Sequence, residues 1–204
     1  MDLLRGVNIY LVGMMGAGKT TVGRILAREF KYRFFDTDEL IVRVAHQSIA
    51  EIFDREGEEA FRELETKVLG ELAAYQNSIV ATGGGIVARS TNWGNMHYGI
   101  VVWLDVPVDQ LYDRLRSDST RPLLREGDLK SKLQSLLSER ERFYAQADVR
   151  VGISGGERPE EVARRAIEEI KKVLEEGRRK KEEGRRKKEE ESRNKEEESN
   201  GFDN

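Results

Sequence analysis

Val7-Asn8-Ile9-Tyr10-Leu11-Val12-Gly13-Met14-Met15-Gly16-Ala17-Gly18-Lys19-Thr20 is the stretch from which the fold is read. Its first six residues form a buried strand by pattern, stopped by Gly13. Gly13 to Thr20 fits the spacing G-x-x-x-x-G-K-[ST], and Val22, Ile25, Leu26 and Phe30 then recur at the period of a core-facing helix. Strand, glycine-rich turn and helix in that order make an anion cradle. Glycines let the backbone curl so that its N–H groups point inward, and the helix N-terminus adds its dipole. Gly13, Gly16, Ala17 and Gly18 would line the loop, Lys19 would reach the β- and γ-phosphates of a nucleotide, and the Thr20 hydroxyl would ligate Mg²⁺. The loop alone does not choose among kinase, GTPase and motor.

Outward from this stretch, apolar runs alternate with helical patterns. Arg33-Phe34-Phe35, Ser78 to Thr82, Ile100 to Leu104 and Val149 to Ile153 read as four further strands. Asp109 to Leu115 opens after Pro107 as a helix, and Val162, Ala166, Ile170 and Val173 follow helical spacing, with the last core-facing helix expected to end near Leu174, before Gly177 interrupts the pattern. Near-continuous apolar strands between helices predict a three-layer α/β fold with a parallel sheet covered on both faces. In such folds ligands bind beyond the carboxyl ends of the strands.

The chain has 204 residues, of which 36% are charged. The excess is local: residues 177–204 hold 10 Lys+Arg and 9 Asp+Glu, and Gly177-Arg178-Arg179-Lys180-Lys181-Glu182-Glu183 recurs as residues 184–190. Two units follow, a body over 1–176 and a charged low-complexity tail over 177–204. The tail reads as a solvated segment or lone helix, either an interaction arm or a stretch without specific role. The body, with 25 basic and 29 acidic residues, is mildly acidic, so no nucleic-acid partner is expected. The absence of cysteine excludes a disulfide framework and a thiol nucleophile, and two distant histidines argue against a zinc site. No run approaches a membrane span, and Met1 to Gly6 lacks a secretory apolar region. A soluble intracellular protein is expected.

Several motifs carry chemistry. Phe35-Asp36-Thr37-Asp38 ends the second strand, and strand alternation would put Asp36 and Asp38 on one side. One carboxylate could hold Mg²⁺ through water and the other orient an attacking hydroxyl; alternatively Asp38 caps the next helix. Arg62 and Glu65 are an i,i+3 pair, which taken alone reads as an exposed ion pair. Gly83-Gly84-Gly85 removes side chains where a ligand approaches the backbone. Arg121 sits in a polar stretch, residues 116–128, that reads either as a lid over ATP or as an ordinary loop. Arg140 and Arg142 are two helical arginines, and either can simply decorate a solvated face.

Taken together, in this order, Gly13–Thr20, Phe35–Asp38, Phe61-Arg62 with Glu65, Gly83–Gly85, Arg121-Pro122-Leu123-Leu124 and Arg140 with Tyr144 resemble the shikimate kinases, of the nucleoside-monophosphate-kinase-like P-loop superfamily, over roughly residues 5–175. Asn92-Trp93 and Trp103 to Pro107 look most like the cyanobacterial and plastid type. The resemblance implies a five-stranded sheet of order 2-3-1-4-5 and ATP-dependent phosphorylation of the shikimate 3-hydroxyl, on the path to chorismate and aromatic amino acids. It implies Asp38 on the acceptor hydroxyl, Asp36 and Thr20 at Mg²⁺, and Arg62, Arg140 and the Gly83–Gly85 backbone around shikimate. It implies Lys19, Thr21, Arg114 and the lid arginine Arg121 on ATP, and an adenine loop over Ser154 to Pro159. It further implies a monomer in the cytoplasm, or in the plastid stroma of a plant. The chain departs from the family at Val42, at His46, where the family has glycine, and between Arg140 and Tyr144, where a family proline is missing. The alternatives are another small-acceptor kinase, such as a gluconate kinase, and a non-catalytic relative.

Overall fold

Ile9–Val12 form strand β1 with all four residues buried, and the glycine loop delivers the chain into helix α1, Lys19–Phe30. The computed structural model describes residues 6–116 and 128–200, with side chains as far as residue 185. After α1 come β2 (Arg33–Asp36), α2 (Thr37–Ala45), α3 (Ile49–Ala73) and β3 (Ser78–Ala81). A 3-10 turn at Ile86–Ala88 leads to α4 (Ser90–Met96), β4 (Ile100–Asp105) and α5 (Val108–Leu115). The chain then continues through α6 (Leu129–Tyr144), β5 (Val149–Gly152) and α7 (Pro159–Asn200).

The five strands pair in parallel in the order β2-β3-β1-β4-β5, the order expected. Central strands β1 and β3 are buried throughout, which requires cover on both faces because successive side chains point opposite ways. The edge strands differ. In β5, Arg150 and Gly152 are exposed, and β2 is only half-buried. Trp103, Tyr10, Tyr144, Leu11 and Ile79 are among the largest fully buried side chains of the core. A smaller cluster of Ile41, Ile52 and Phe61 joins α2 to α3.

Two helix ends explain local sequence. Ser48 and Glu51 form a reciprocal capping box that starts α3. His46 closes α2 in the left-handed region at φ 53°, a conformation that glycine adopts without strain and histidine tolerates better than most residues. The resemblance leads to glycine being expected near this position.

Two expectations are corrected. Asp38 does not lie on a strand: β2 ends at Asp36, and Asp38 belongs to the first turn of α2. Strand alternation therefore does not place it. The last helix does not stop near Leu174 or at Gly177, since α7 is continuous to Asn200. A glycine in a helix costs only about 1 kcal/mol relative to alanine, and i,i+4 pairs such as Arg178–Glu182 offset part of that. Its buried residues, Val162, Ala163, Ala166 and Ile170, lie in the first third, whereas residues 175–185 are exposed.

Deletion of residues 177–204 should therefore remove helix without removing core. Far-UV circular dichroism should lose helical signal while the thermal midpoint moves by less than about 3 °C, the shift that ~1 kcal/mol produces in a domain of this size. A larger fall would show that the exposed part of α7 packs on the body.

Candidate active site

The phosphate loop follows from β1. Gly13 (φ 138°) passes so close to the backbone of Leu104 that a side-chain carbon there would lie 2.5 Å from its carbonyl oxygen. Gly16 and Gly18 also take positive φ, and Ala17 N–H closes the turn on Met14 C=O at 3.1 Å. Lys19, nearly buried, donates from Nζ to Gly13 C=O and Met14 C=O at 2.8 Å each. The ammonium is thus already stationed over the loop. Thr21 lies on the outward side of α1 and, with Gly16, Gly18 and Arg114, lines a cavity of about 360 Å³ that extends to Ile153 and Glu157. Arg114 donates to Gly16 C=O at 2.9 Å, so α5 is tied to the phosphate loop.

At the end of β2, Asp36 has two duties. Its Oδ1 accepts from the N–H groups of Asp38 and Glu39, which makes Asp36, not Asp38, the cap of α2. Its Oδ2 accepts from the Thr20 hydroxyl at 2.6 Å, 16 residues away in sequence. A hydroxyl and a carboxylate, both hard oxygen donors, therefore meet at the mouth of the phosphate loop.

Asp38 faces a cluster of buried charge. Glu65 is 1% exposed and accepts from Arg62 Nη1 at 2.5 Å; the Arg62 side chain is 11% exposed. The exposed-pair reading is overturned, because Phe61, Glu65, Leu69 and Leu72 form the buried face of α3 and carry this ion pair inward. The other edge of the Arg62 fork, Nε and Nη2, is held by the half-exposed Glu58. Burial pushes the Glu65 carboxyl above the usual glutamate range; Arg62 opposes this and Asp38 adds to it. Arg140 is buried and has a buried, unsatisfied Nη1, whereas Arg142 is exposed and rests on Phe143. Of the two helical arginines, Arg140 turns inward.

Gly83, Gly84 and Gly85 close this space. A side-chain carbon at Gly83 would collide with Glu65, and one at Gly85 with the Arg62 guanidinium. At Gly84 it would come within 3.2 Å of Met15 N on the phosphate loop. The arrangement leaves an oxygen acceptor, Asp38, and a carboxylate-matching fork, Arg62, beside a phosphate cradle. That geometry can place a hydroxylated carboxylate against a phosphoryl donor. Arg121 and the expected lid, apart from Arg116 and Asp128 at its ends, lie outside the described residues.

Glu65 acquires a place in the site that the pair spacing alone did not assign. The available signal was its position in the apolar Phe61–Leu69–Leu72 stripe, where a carboxylate needs a reason to be buried. Thr37 and Thr82 were also missed. Thr37 Oγ1 accepts from Gly83 N–H at 3.0 Å, and Thr82 Oγ1 donates to Leu11 C=O at 2.9 Å.

Comparison with known proteins adds to this geometry. The family model described as shikimate kinase matches residues 15–171. The chain is 52% identical to a shikimate kinase from Nostoc punctiforme over 169 residues, 83% of this chain and 93% of the relative. It is 53% identical to one from Gloeobacter violaceus over 154 residues, 75% and 87% of the two chains. A shikimate kinase from Acinetobacter baumannii, solved in complex with shikimate, superposes with a TM-score of 0.76 at 39% identity, covering 80% of this chain and 92% of that one. A gluconokinase from Sinorhizobium meliloti has a TM-score of 0.57 at 18% identity over 84% and 95% of the two chains, a likeness of fold alone.

The raised Glu65 carboxyl has a testable sign. A carboxyl whose folded pKa is raised stabilises the fold fully below its unfolded value and loses that contribution as pH climbs through the folded value. Stability of the unaltered chain relative to Glu65→Gln should therefore fall as pH rises from about 4 through the range above the ordinary glutamate value of about 4.3. The measurement is the urea midpoint of both proteins across that range. Parallel curves would show that Glu65 titrates normally.

Proposed function

The chain belongs to the shikimate kinase family, and on that premise we propose that the site between the phosphate loop and α3 transfers the γ-phosphoryl group of ATP to the 3-hydroxyl of shikimate. The protein is a phosphotransferase with an alcohol acceptor, acting in chorismate and aromatic amino acid biosynthesis. One observation carries the reading of the site: Glu65, paired with Arg62 and in the field of Asp38 and the inward Arg140, lies against Gly83, and Arg62 against Gly85, while a side-chain carbon on Gly84 between them would come within 3.2 Å of the phosphate loop.

In this reading the shikimate carboxylate lies on Arg62 and Arg140. It takes the Arg62 edge now held by the exposed Glu58, while buried Glu65 keeps the guanidinium oriented. Asp38 accepts the hydrogen bond of the attacking 3-hydroxyl and takes its proton as the phosphoryl group departs. Lys19 exchanges its loop carbonyls for phosphate oxygens, Thr21 and Arg114 border the nucleotide, and Arg121 neutralises the transferring charge. The Thr20–Asp36 contact fits Mg²⁺, which takes one or two protein oxygens plus phosphate oxygens and water. When bound there, the ion would neutralise charge on the β- and γ-phosphates. We assign the chain to the cytoplasm, or to the plastid stroma of a plant, as a monomer working without nucleic acid or membrane. Among the described residues no helix is long and apolar enough to cross a membrane.

A coupled ADP-release assay with shikimate, gluconate and nucleoside monophosphates tests the reading. Turnover confined to shikimate is expected, and preference for another acceptor would overturn it. Asp38→Asn should lower kcat by ~10²–10⁴ while nucleotide binding, followed by calorimetry, survives. A variant within threefold of the unaltered enzyme would remove Asp38 from the chemistry. Arg62→Lys keeps the charge and loses the fork, so the KM for shikimate should rise at least tenfold more than the KM for ATP, about 1.4 kcal/mol of selective loss.

A further inference from the structure

Gly83, Gly84 and Gly85 have no side chains, so they meet an acceptor only through their peptide groups. What holds those groups from behind therefore sets the shape of the subsite. The fold anchors one atom in each of three successive peptides. Gly83 N–H donates to Thr37 Oγ1 at 3.0 Å, Gly83 C=O accepts from Ile86 N–H at 3.3 Å, and Gly84 C=O accepts from the Tyr144 hydroxyl at 2.5 Å. No peptide bond is cis, so in each planar group the C=O and N–H point opposite ways. Anchoring Gly83 O and Gly84 O thus turns the N–H groups of Gly84 and Gly85 to the other side. Neither N–H takes part in a loop or turn hydrogen bond to a backbone carbonyl among the described residues.

Two of the three anchors come from outside the loop. Thr37 opens α2 between Asp36 and Asp38 and is 0% exposed; Tyr144 ends α6 one turn after Arg140 and is also 0% exposed. The Tyr144 ring stacks on Trp103 at 5.7 Å, so the ring is held independently of its hydroxyl. Burial pushes that phenol up to about 12, against the pull of Arg140, and it remains a hydrogen-bond donor throughout the working range of a neutral enzyme.

We propose that Thr37 and Tyr144 are positioning residues for the acceptor, their buried hydroxyls fixing the Gly83–Gly85 peptide planes against which shikimate is seated beside Arg62 and Arg140. This rests on shikimate being the acceptor. Neither residue touches the reacting atoms. Thr37 acts through the backbone of the glycine loop, Tyr144 through that backbone and through its hydrogen bond with Arg140, and removing a hydroxyl frees one peptide plane while the packing stays.

The test uses the full chain and four proteins: unaltered, Tyr144→Phe, Thr37→Val and Thr37→Ser. Tyr144→Phe and Thr37→Val should each raise the KM for shikimate by roughly five- to tenfold, the worth of one hydrogen bond of about 1 kcal/mol, with the KM for ATP within about twofold. Thr37→Ser keeps a hydroxyl and should restore the shikimate KM. Thermal unfolding is recorded for all four, and if Tyr144→Phe does not fold, the Thr37 pair decides. An unchanged shikimate KM in folded variants, a parallel rise in both KM values, or failure of serine to restore would each overturn the proposal. An unaltered chain inactive on shikimate would instead overturn the acceptor assignment, and the proposal with it.

Discussion

Parallel pairing of β3 with both β1 and β2 is the constraint from which the site follows. Ala81 stands opposite Leu11 on one side and Asp36 on the other. These three residues therefore share one level across the sheet, and the chain leaves each strand at the same edge. The phosphate loop begins two residues beyond Leu11, α2 opens directly after Asp36, and the glycine loop begins two residues beyond Ala81. Thr82 fastens this level by both its N–H and its hydroxyl to Leu11 C=O. An antiparallel partner at any of these positions would send one of the three loops to the opposite end of the sheet.

Given that edge, burial sets the electrostatics. The Arg62–Glu65 pair lies inside a helix face that otherwise packs apolar groups. Such a pair adds little to stability, because desolvation cancels much of its attraction. Its value is directional: a guanidinium held at Nη1 by a buried partner cannot swing away. Glu58, in water, contributes little energy to the same guanidinium and is readily replaced. One arginine thus carries a fixed partner and an exchangeable one.

The phosphate loop was legible because its chemistry needs particular residues at consecutive positions, and the strand order came with the resemblance those motifs supported. The single-residue environment was less legible. Asp38 was placed by strand alternation, although its position comes from the cap that Asp36 supplies, and a cap is visible only once the strand end is known. Arg62–Glu65 has the spacing of countless exposed pairs, and only the stripe Phe61–Leu69–Leu72 distinguishes it. Arg140 and Arg142 differ by two positions, about 200° around a helix, so the phase of α6 decides between them. That phase is fixed by Leu133 and Tyr144 on the buried side. Thr37 and Thr82 were unreadable for another reason: their partners are backbone atoms tens of residues away, which leave no pattern in the sequence.

The continuity of α7 has its own consequence. An isolated segment as polar as residues 177–200 would have to nucleate a helix on its own, and for short chains in water that first turn is costly. Here the first turns are already bought by the burial of Val162, Ala166 and Ile170, so each later residue adds only the small free energy of propagation. Order in the exposed part is thus inherited from one end. Melting should start at the far terminus and retreat toward the body residue by residue, without a cooperative step, and the same sequence cut free as a peptide should be largely unfolded. Helicity there reports what the segment is attached to rather than what it is made of.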